Sequence, residues 1–442
     1  MSNRGNFFTN FTNLQLNVFS NSFNTLILKT LGIFLGYLVV LMLSKNFGAQ
    51  GVGFYNFTLA TISTLSIFCI LGLDIAVLRY VGELNNKNSY NQLFALFINV
   101  VQILIPASLV LGAVLYFSSD FISLNILNDN SYSLILKLIA ISIPFLSFQL
   151  VGIEFIRGLK KIRISELTRS VIRPLIGIIV IFSLLRIAND NLIPVYSIIT
   201  AIICSSIFTF IYIINKLKKI KNPLSNTSIS KKNLLKTSTP LMFTSVFGSL
   251  NTFIPLFLTE IYMNTQMVGV YSLSVRLSLI VSIMIVSIHT AVAPDFSQLF
   301  WSRKMDELKS LVNFTTRLNL IFSLIPFILI CLFNEQILNL FSSEFIVGKN
   351  VLIILSLSQL INSICGPAGL LLNMTGHEKI SRNIIFFSFI ITLIGGLILI
   401  PVYGIEGAAI SQFIAISFLR IMNVIFVRTK LKINVLSSLK PW

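Results

Sequence analysis

Charge is scarce in this sequence. Only 11% of its 442 residues are charged against 55% apolar, and the mean hydropathy is +0.88. That leaves too little polar surface to cover a soluble globule, so the chain is read as an integral membrane protein. Histidine and cysteine are rarer still, at two and four. Cys69, Cys204, Cys331 and Cys365 each stand singly inside an apolar stretch, so their spacing implies neither a disulfide framework nor a metal cluster. His289, near the end of an apolar run, and His377, in a polar loop, read as structural. No pair at metal spacing, Gly-rich phosphate loop or nucleophile elbow occurs within the apolar segments, and no metal or other cofactor is expected. Acidic residues number 15.

What the chain has in quantity is apolar length. Twelve segments are long enough to cross a hydrocarbon core of about 30 Å. They lie near 22–44, 51–73, 93–117, 133–156, 168–186, 192–214, 237–259, 268–292, 311–333, 350–373, 381–400 and 404–427. The expected fold class is an all-α polytopic membrane protein. The head "MSNRGNFFTNFTNLQLNVFSNSF" has one cation and no small-residue cleavage site after a short apolar run, so no cleavable signal peptide is expected.

The net charge of +18 has a spatial order. With the N-terminus placed in the cytoplasm, 24 of the 33 Lys and Arg fall on the inner side, three on the outer side (Lys45, Arg186, Lys349) and six within spans. This is the positive-inside signal, and it predicts both termini in the cytoplasm. The basic charge is thus a topology signal with anionic lipid contact as a by-product, not a nucleic-acid footprint.

The longest polar loop, 215–236, divides the chain six spans plus six. Residues 1–214 and 237–442 are the expected N- and C-terminal lobes, with 215–236 a cytoplasmic linker. The halves repeat words in order: "VGFY" at 52–55 and "VGVY" at 268–271; "AVLRYVGEL" at 76–84 and "AVAPDFSQL" at 291–299; "LIP" at 104–106 and 324–326; "RGLKKI" at 157–162 and "TGHEKI" at 375–380. Six spans per half gives a parallel repeat about an axis along the membrane normal, the arrangement in which two lobes enclose a cavity and rock about it. Pro106, Pro144, Pro174, Pro255, Pro326 and Pro367 interrupt spans, as packing kinks or as hinges.

An arginine at a span centre costs about 2.5–3.5 kcal/mol, so such a residue faces protein or water. Arg276 lies about 12 Å inward from Val268, on a helical face with Ser272, Ile280, Ile283, Ser287 and Thr290. Two readings stand: a bridge to carbonyls or to Glu260, or a cation lining a wet cavity for an anionic ligand, the second being favoured. Lys29 and Arg317 lie near inner ends, as anchors or cavity cations. Arg173, beside Pro174, is open between the same two roles. Arg420 sits about two turns from the inner end of the last span and leans to the cavity, while Lys137 reads as an outer anchor. Asp74, Glu154 and Asp295 cluster at inner ends, and Glu260, Glu335 and Glu406 at outer ends, as solvated groups or gate ion pairs. Asp74 and Glu154 are the candidates for a carboxylate that titrates with a coupling ion.

The words "LSKNFGAQGVGFYNF" (43–57), "LGLDIAVLRYVGEL" (71–84), "VGVYSLSVRL", "APDFSQL" and "PVYGIEGAAIS" (401–411) together resemble polysaccharide exporters of the multidrug/oligosaccharidyl-lipid/polysaccharide superfamily, closest to the O-antigen unit flippases. That resemblance implies translocation of an undecaprenyl-pyrophosphate-linked oligosaccharide from the inner to the outer leaflet of the bacterial inner membrane. It also implies a cationic lumen, where Arg276, just past "VGVY", fits. Implied partners are membrane lipid, the lipid-linked oligosaccharide, a proton or sodium ion for coupling, and polysaccharide polymerase and chain-length proteins. Rival readings are a peptidoglycan-precursor or teichoic acid flippase, a drug/cation antiporter, which should line its cavity with carboxylates, and a membrane polysaccharide polymerase or glycosyltransferase. An enzyme should show a catalytic domain or a long outer loop with paired acids. The predicted outer loops reach only about 17 residues and are nearly bare of charge.

Overall fold

The computed structural model describes residues 13–86, 90–187, 190–217 and 231–435. Residues 218–230 of the expected linker, the first twelve residues and the last seven lie outside them. The described chain is helical throughout, without strands. Its first half runs α1 (Asn13–Ile70), α2 (Leu73–Asn86), α3 (Tyr90–Asn125), α4 (Ser131–Gly158), α5 (Ile162–Glu166), a π-helical turn (Leu167–Ile172), α6 (Arg173–Leu184) and α7 (Ile193–Leu217). The second half runs α8 (Lys231–Tyr262), α9 (Thr265–Ser278), a 3₁₀ turn (Leu279–Ser282), α10 (Ile283–Trp301), α11 (Met305–Asn339), a second 3₁₀ turn (Ser343–Gly348), α12 (Lys349–Ile364), α13 (Ala368–Met374) and α14 (Glu378–Leu431).

Ten of the described helical stretches are long and apolar enough to span a membrane. The difference from twelve has a physical source. α14 has 54 residues, or about 80 Å at 1.5 Å per residue, far more than one hydrocarbon core. It turns back at Gly404 (φ 57°), and α1 turns at Gly48 (φ 60°), a left-handed backbone that glycine adopts without Cβ strain. Each thus contains two of the expected segments. The outward face is apolar, as a lipid-facing surface must be: on α3, Val110, Val114, Phe117 and Phe121 form an exposed stripe at helical spacing.

Packing differs between the predicted outer and inner ends of the helices. Near the bends at Gly48 and Gly404, the predicted outer end, one apolar core joins both halves, from Leu43 and Tyr132 to Tyr271, Phe345 and Ile405. Towards the opposite end the core divides. One cluster, including Leu73, Leu96 and Phe155, belongs to α2, α3, α4 and α7 with Ile70 of α1 and Leu234 of α8, and another, including Phe296, Leu308 and Leu371, lies in α10–α14 with Ile433 and Val435 just beyond.

α1 and α9 cross where the repeated words meet. A Cβ on Gly53 would lie 2.0 Å from the Thr265 carbonyl oxygen, and one on Gly269 would lie 1.9 Å from that of Ala49. Each glycine faces the residue four positions before the other. Such reciprocity is what a two-fold relation produces at its axis, and the small residues permit the close backbone approach.

Candidate functional site

Between α1 and the α9–α10 span lies a cavity of about 450 Å³. α1 contributes Lys29, Gly32, Ile33, Gly36 and Tyr37, the π turn Ser170, and the second half Arg276, Leu279, Ser282 and Ile283. Two cations, one from each half of the chain, therefore share one space, and no carboxylate lines it among the described residues.

Arg276 is held in place by α1. Its Nη1 donates to the Gly36 carbonyl at 2.8 Å, the Tyr37 hydroxyl donates to the Arg276 carbonyl at 2.8 Å, and the guanidinium carbon stands 6.0 Å from the Tyr37 ring centre. The carbonyl bridge and the cavity position are thus both occupied by one side chain, since one N–H of the five goes to Gly36. Glu260 is elsewhere: buried at 5% exposure, it accepts from Thr265 Oγ1 at 3.0 Å, and that hydroxyl is 2.7 Å from Tyr132 Oη of the first half.

The expected face of Arg276 is altered by the 3₁₀ turn. Over Leu279–Ser282 the rotation per residue is nearer 120° than 100°, which brings Leu279 and Ser282, with Ile283, into the wall in place of Ile280. Ser287 and Thr290 lie outside the described side chains.

The π turn is a feature that sequence reading did not anticipate, and Pro174 is the signal for it. Proline has no N–H to offer the carbonyl of Ser170, and its ring crowds that oxygen, so the helix widens over Leu167–Ile172. α1 comes close here: a Cβ on Gly32 would lie 2.4 Å from the Ser170 oxygen.

The other candidates are distributed. Arg173 stands behind the wall, Nη2 donating to Gln149 Oε1 at 2.8 Å, and Tyr55 lies within electrostatic range of both Arg173 and Arg276. Arg317 on α11 and Arg420 on α14 do not line this cavity. Lys137 pairs with Asp120 at 2.9 Å and Glu335 with Lys349 at 2.9 Å, exposed contacts of little energetic weight. Glu406 accepts from Asn350 at 2.7 Å. Glu154 is paired with Arg169 and with Arg157 at 3.6 Å. Asp74, at the start of α2, keeps Oδ1 buried without a hydrogen-bond partner, and burial first, with Glu154 nearby adding to it, pushes its carboxyl pKa above the usual range. No group of three or more His, Cys, Asp or Glu residues is arranged to hold a metal among the described residues.

A sequence model of polysaccharide biosynthesis proteins matches residues 18–300, and the MatE model matches 240–398. The chain is 26% identical over 389 residues to the capsular polysaccharide biosynthesis protein CapF of Staphylococcus aureus, covering 86% of this chain and 92% of that one. It is 22% identical over 404 residues to the probable low-salt glycan biosynthesis flippase Agl15 of Haloferax volcanii, covering 90% and 80%. Among solved structures, the lipid II flippase MurJ in an inward closed conformation superposes with a TM-score of 0.75 at 19% identity, over 95% of this chain and 90% of that one. An inward-facing multidrug resistance MATE transporter of the MOP superfamily gives 0.72 at 14%, over 92% and 98%. These superpositions establish the fold.

Proposed function

The chain belongs to the polysaccharide biosynthesis protein family, and from that premise we propose that it is a flippase for lipid-linked glycan, carrying an oligosaccharide unit on undecaprenyl pyrophosphate, of the O-antigen class, from the cytoplasmic to the periplasmic leaflet of a bacterial inner membrane. The observation that carries this reading is the meeting of Lys29 and Arg276 in one cavity. Two cations match a pyrophosphate in charge, and the guanidinium fork matches its oxygens in geometry. A drug/cation antiporter needs the opposite lining, and the lining residues include no acid.

The proposed cycle uses residues 1–214 and 237–442 as lobes joined by 215–236, with both termini cytoplasmic. The glycan headgroup cannot cross hydrocarbon, where each unpaired hydroxyl costs kcal/mol. It enters between α1 and the α9–α10 span while its prenyl tail stays in lipid. The shared core at the outer end, with the Tyr132–Thr265 contact and the Ala49 N–H donating to Glu344 Oε2 at 2.7 Å, closes the exit. Rocking about the Gly53–Gly269 crossing exchanges the open ends. A membrane potential negative inside drives a dianionic headgroup outward by about 2.3 kcal/mol per charge per 100 mV. Asp74 suits a coupling proton better than Glu154, which is already in ion pairs.

The test is direct. Cells lacking the protein should accumulate the lipid-linked unit on the cytoplasmic leaflet, and proteoliposomes holding it should move a labelled unit between leaflets. Failure of purified protein to translocate any prenyl-pyrophosphate glycan would reject the reading.

A further inference from the structure

A second set of polar groups converges inside the second half, around the break between α12 and α13. Ser417, Arg420 and Asn423 follow at three-residue intervals on α14 and so share a face. Each keeps a buried polar atom without a partner: the Ser417 hydroxyl, Arg420 Nε and Asn423 Oδ1. Gly369 of α13 lies opposite, where an added Cβ would meet Asn423 Nδ2 at 3.1 Å and Arg420 Nη1 at 3.8 Å, so its missing side chain is what lets these two polar groups approach α13. From α11, Asn319 is fully buried. Its Oδ1 is also unpartnered, while its Nδ2 is 3.3 Å from His289 Nε2 of α10. Arg420 acts electrostatically on the His289 ring. Arg420 and His289 are only partly buried, and Arg420 makes no ion pair among the described residues.

Buried, unpaired amide oxygens beside an unpaired guanidinium N–H cost stability and need an explanation. The group that would satisfy them all must accept hydrogen bonds at Arg420 and donate them at Asn319 and Asn423, while the Ser417 hydroxyl can take either part. A bare anion accepts only, and a neutral sugar leaves the guanidinium without a counter-charge. We propose that this cluster is a sugar subsite for an acidic residue of the carried glycan, taking a uronic-acid carboxylate on Arg420 and ring hydroxyls on the asparagines. This rests on the glycan reading above and deepens it. One cation here matches one carboxylate, whereas the two in the cavity match a pyrophosphate. The placement is consistent with one extended ligand: Arg276 and His289 lie 13 residues apart on the same span, about 20 Å, so phosphates at the first leave the sugars reaching towards the second.

The experiment uses the full-length protein in detergent, titrated with hexuronate oligomers of gluco, galacto and manno configuration, with neutral hexose oligomers of equal length, and with inorganic pyrophosphate. At least one hexuronate oligomer should bind ten times more tightly or better than its neutral counterpart. Arg420→Gln should weaken that binding about tenfold or more, and Asn423→Leu should weaken it less. If Arg420→Gln does not fold, Arg420→Lys, which keeps the charge and loses the fork, should bind with intermediate affinity. Full affinity in the Arg420 variant, equal binding of neutral and acidic oligomers, or no binding of any hexuronate would overturn the subsite. Pyrophosphate affinity is read separately: its persistence in Arg276→Gln would count against the cavity reading and leave the subsite result standing.

Discussion

Asn56 of α1 donates a hydrogen bond to the Ser272 hydroxyl of α9 at 2.9 Å, and the two residues are 216 positions apart, the same interval that separates "VGFY" from "VGVY". Residues equivalent in a repeat touch one another only where the symmetry axis passes between them. The axis therefore runs through the α1–α9 crossing, and one turn beyond it the equivalence ends. The position equivalent to Arg276 is Ala60, so the cation belongs to one side of the cavity, and Lys29 supplies the other from α1.

Backbone contact at the crossing makes Gly53 and Gly269 intolerant of any side chain. Gly53→Ala and Gly269→Ala should each destabilise the protein by about 1–3 kcal/mol, because the new methyl meets a carbonyl oxygen that belongs to the partner helix's backbone. Thermal unfolding of purified protein, followed by size-exclusion of the soluble fraction, reads this out. Unchanged midpoints in both variants would contradict the reciprocal contact.

Arg276→Ala should abolish translocation at unchanged protein level, losing a charge-assisted contact worth roughly 1.5–3 kcal/mol, or about 10–100-fold in affinity. Arg276→Lys should recover part of the activity, since it restores charge without the fork. Lys29→Ala should weaken transport less, because a lysine near the span end retains solvent on one side. Activity is measured as leaflet transfer of a labelled lipid-linked glycan, and full transfer by the Arg276→Ala variant would remove the residue from the site.

Much of this was readable in advance, for reasons that differ by residue. Hydropathy exposes span length, and the repeated words expose the axis, because both are properties of side chains. That Arg276 lies deep follows from counting residues. Its tie to Gly36 does not, since a carbonyl has no letter in the sequence. The bends that merge four expected segments into α1 and α14 depend on glycine φ values at Gly48 and Gly404, which a glycine permits and does not demand. The 3₁₀ turn that exchanges Ile280 for Leu279 and Ser282 is a local change of helical pitch, invisible to a fixed 100° wheel. Arg420 shows what depth alone does not name: its neighbours His289, Gly369 and Asn423 belong to its own half.

Asp74 should give the protein a pH signature. Its folded-state pKa is raised by burial, so the native state binds the proton more tightly than the unfolded chain. Its stabilising contribution is therefore full below the ordinary carboxylate value of about 3.9 and is lost as pH rises through the raised value. Asp74→Asn should flatten that fall in thermal midpoint over the acid range. If Asp74 also carries the coupling proton, the same variant should make transport indifferent to a pH gradient. A midpoint profile identical to that of the unsubstituted protein would exclude the titration.

The outer closure should be separable from the substrate site. Tyr132 and Glu344 each join the halves at the predicted outer end, the first through the Thr265 hydroxyl, the second through the Ala49 N–H, and neither lines the cavity. A neutral bond of this kind contributes about 1 kcal/mol and a charge-assisted one about 1.5–3, so removing both with Tyr132→Phe and Glu344→Ala should move the balance towards the outward-open state by tenfold or more. The apolar core around them remains, so the protein should still fold. A reporter at Ser272→Cys, in a background where Cys69, Cys204, Cys331 and Cys365 are replaced, should then react faster with a membrane-impermeant maleimide added from outside. The Asn56 partner is lost in that reporter, so its rate is compared only with the same reporter carrying intact Tyr132 and Glu344. Equal rates in the two would mean that the closure is held by the apolar core alone.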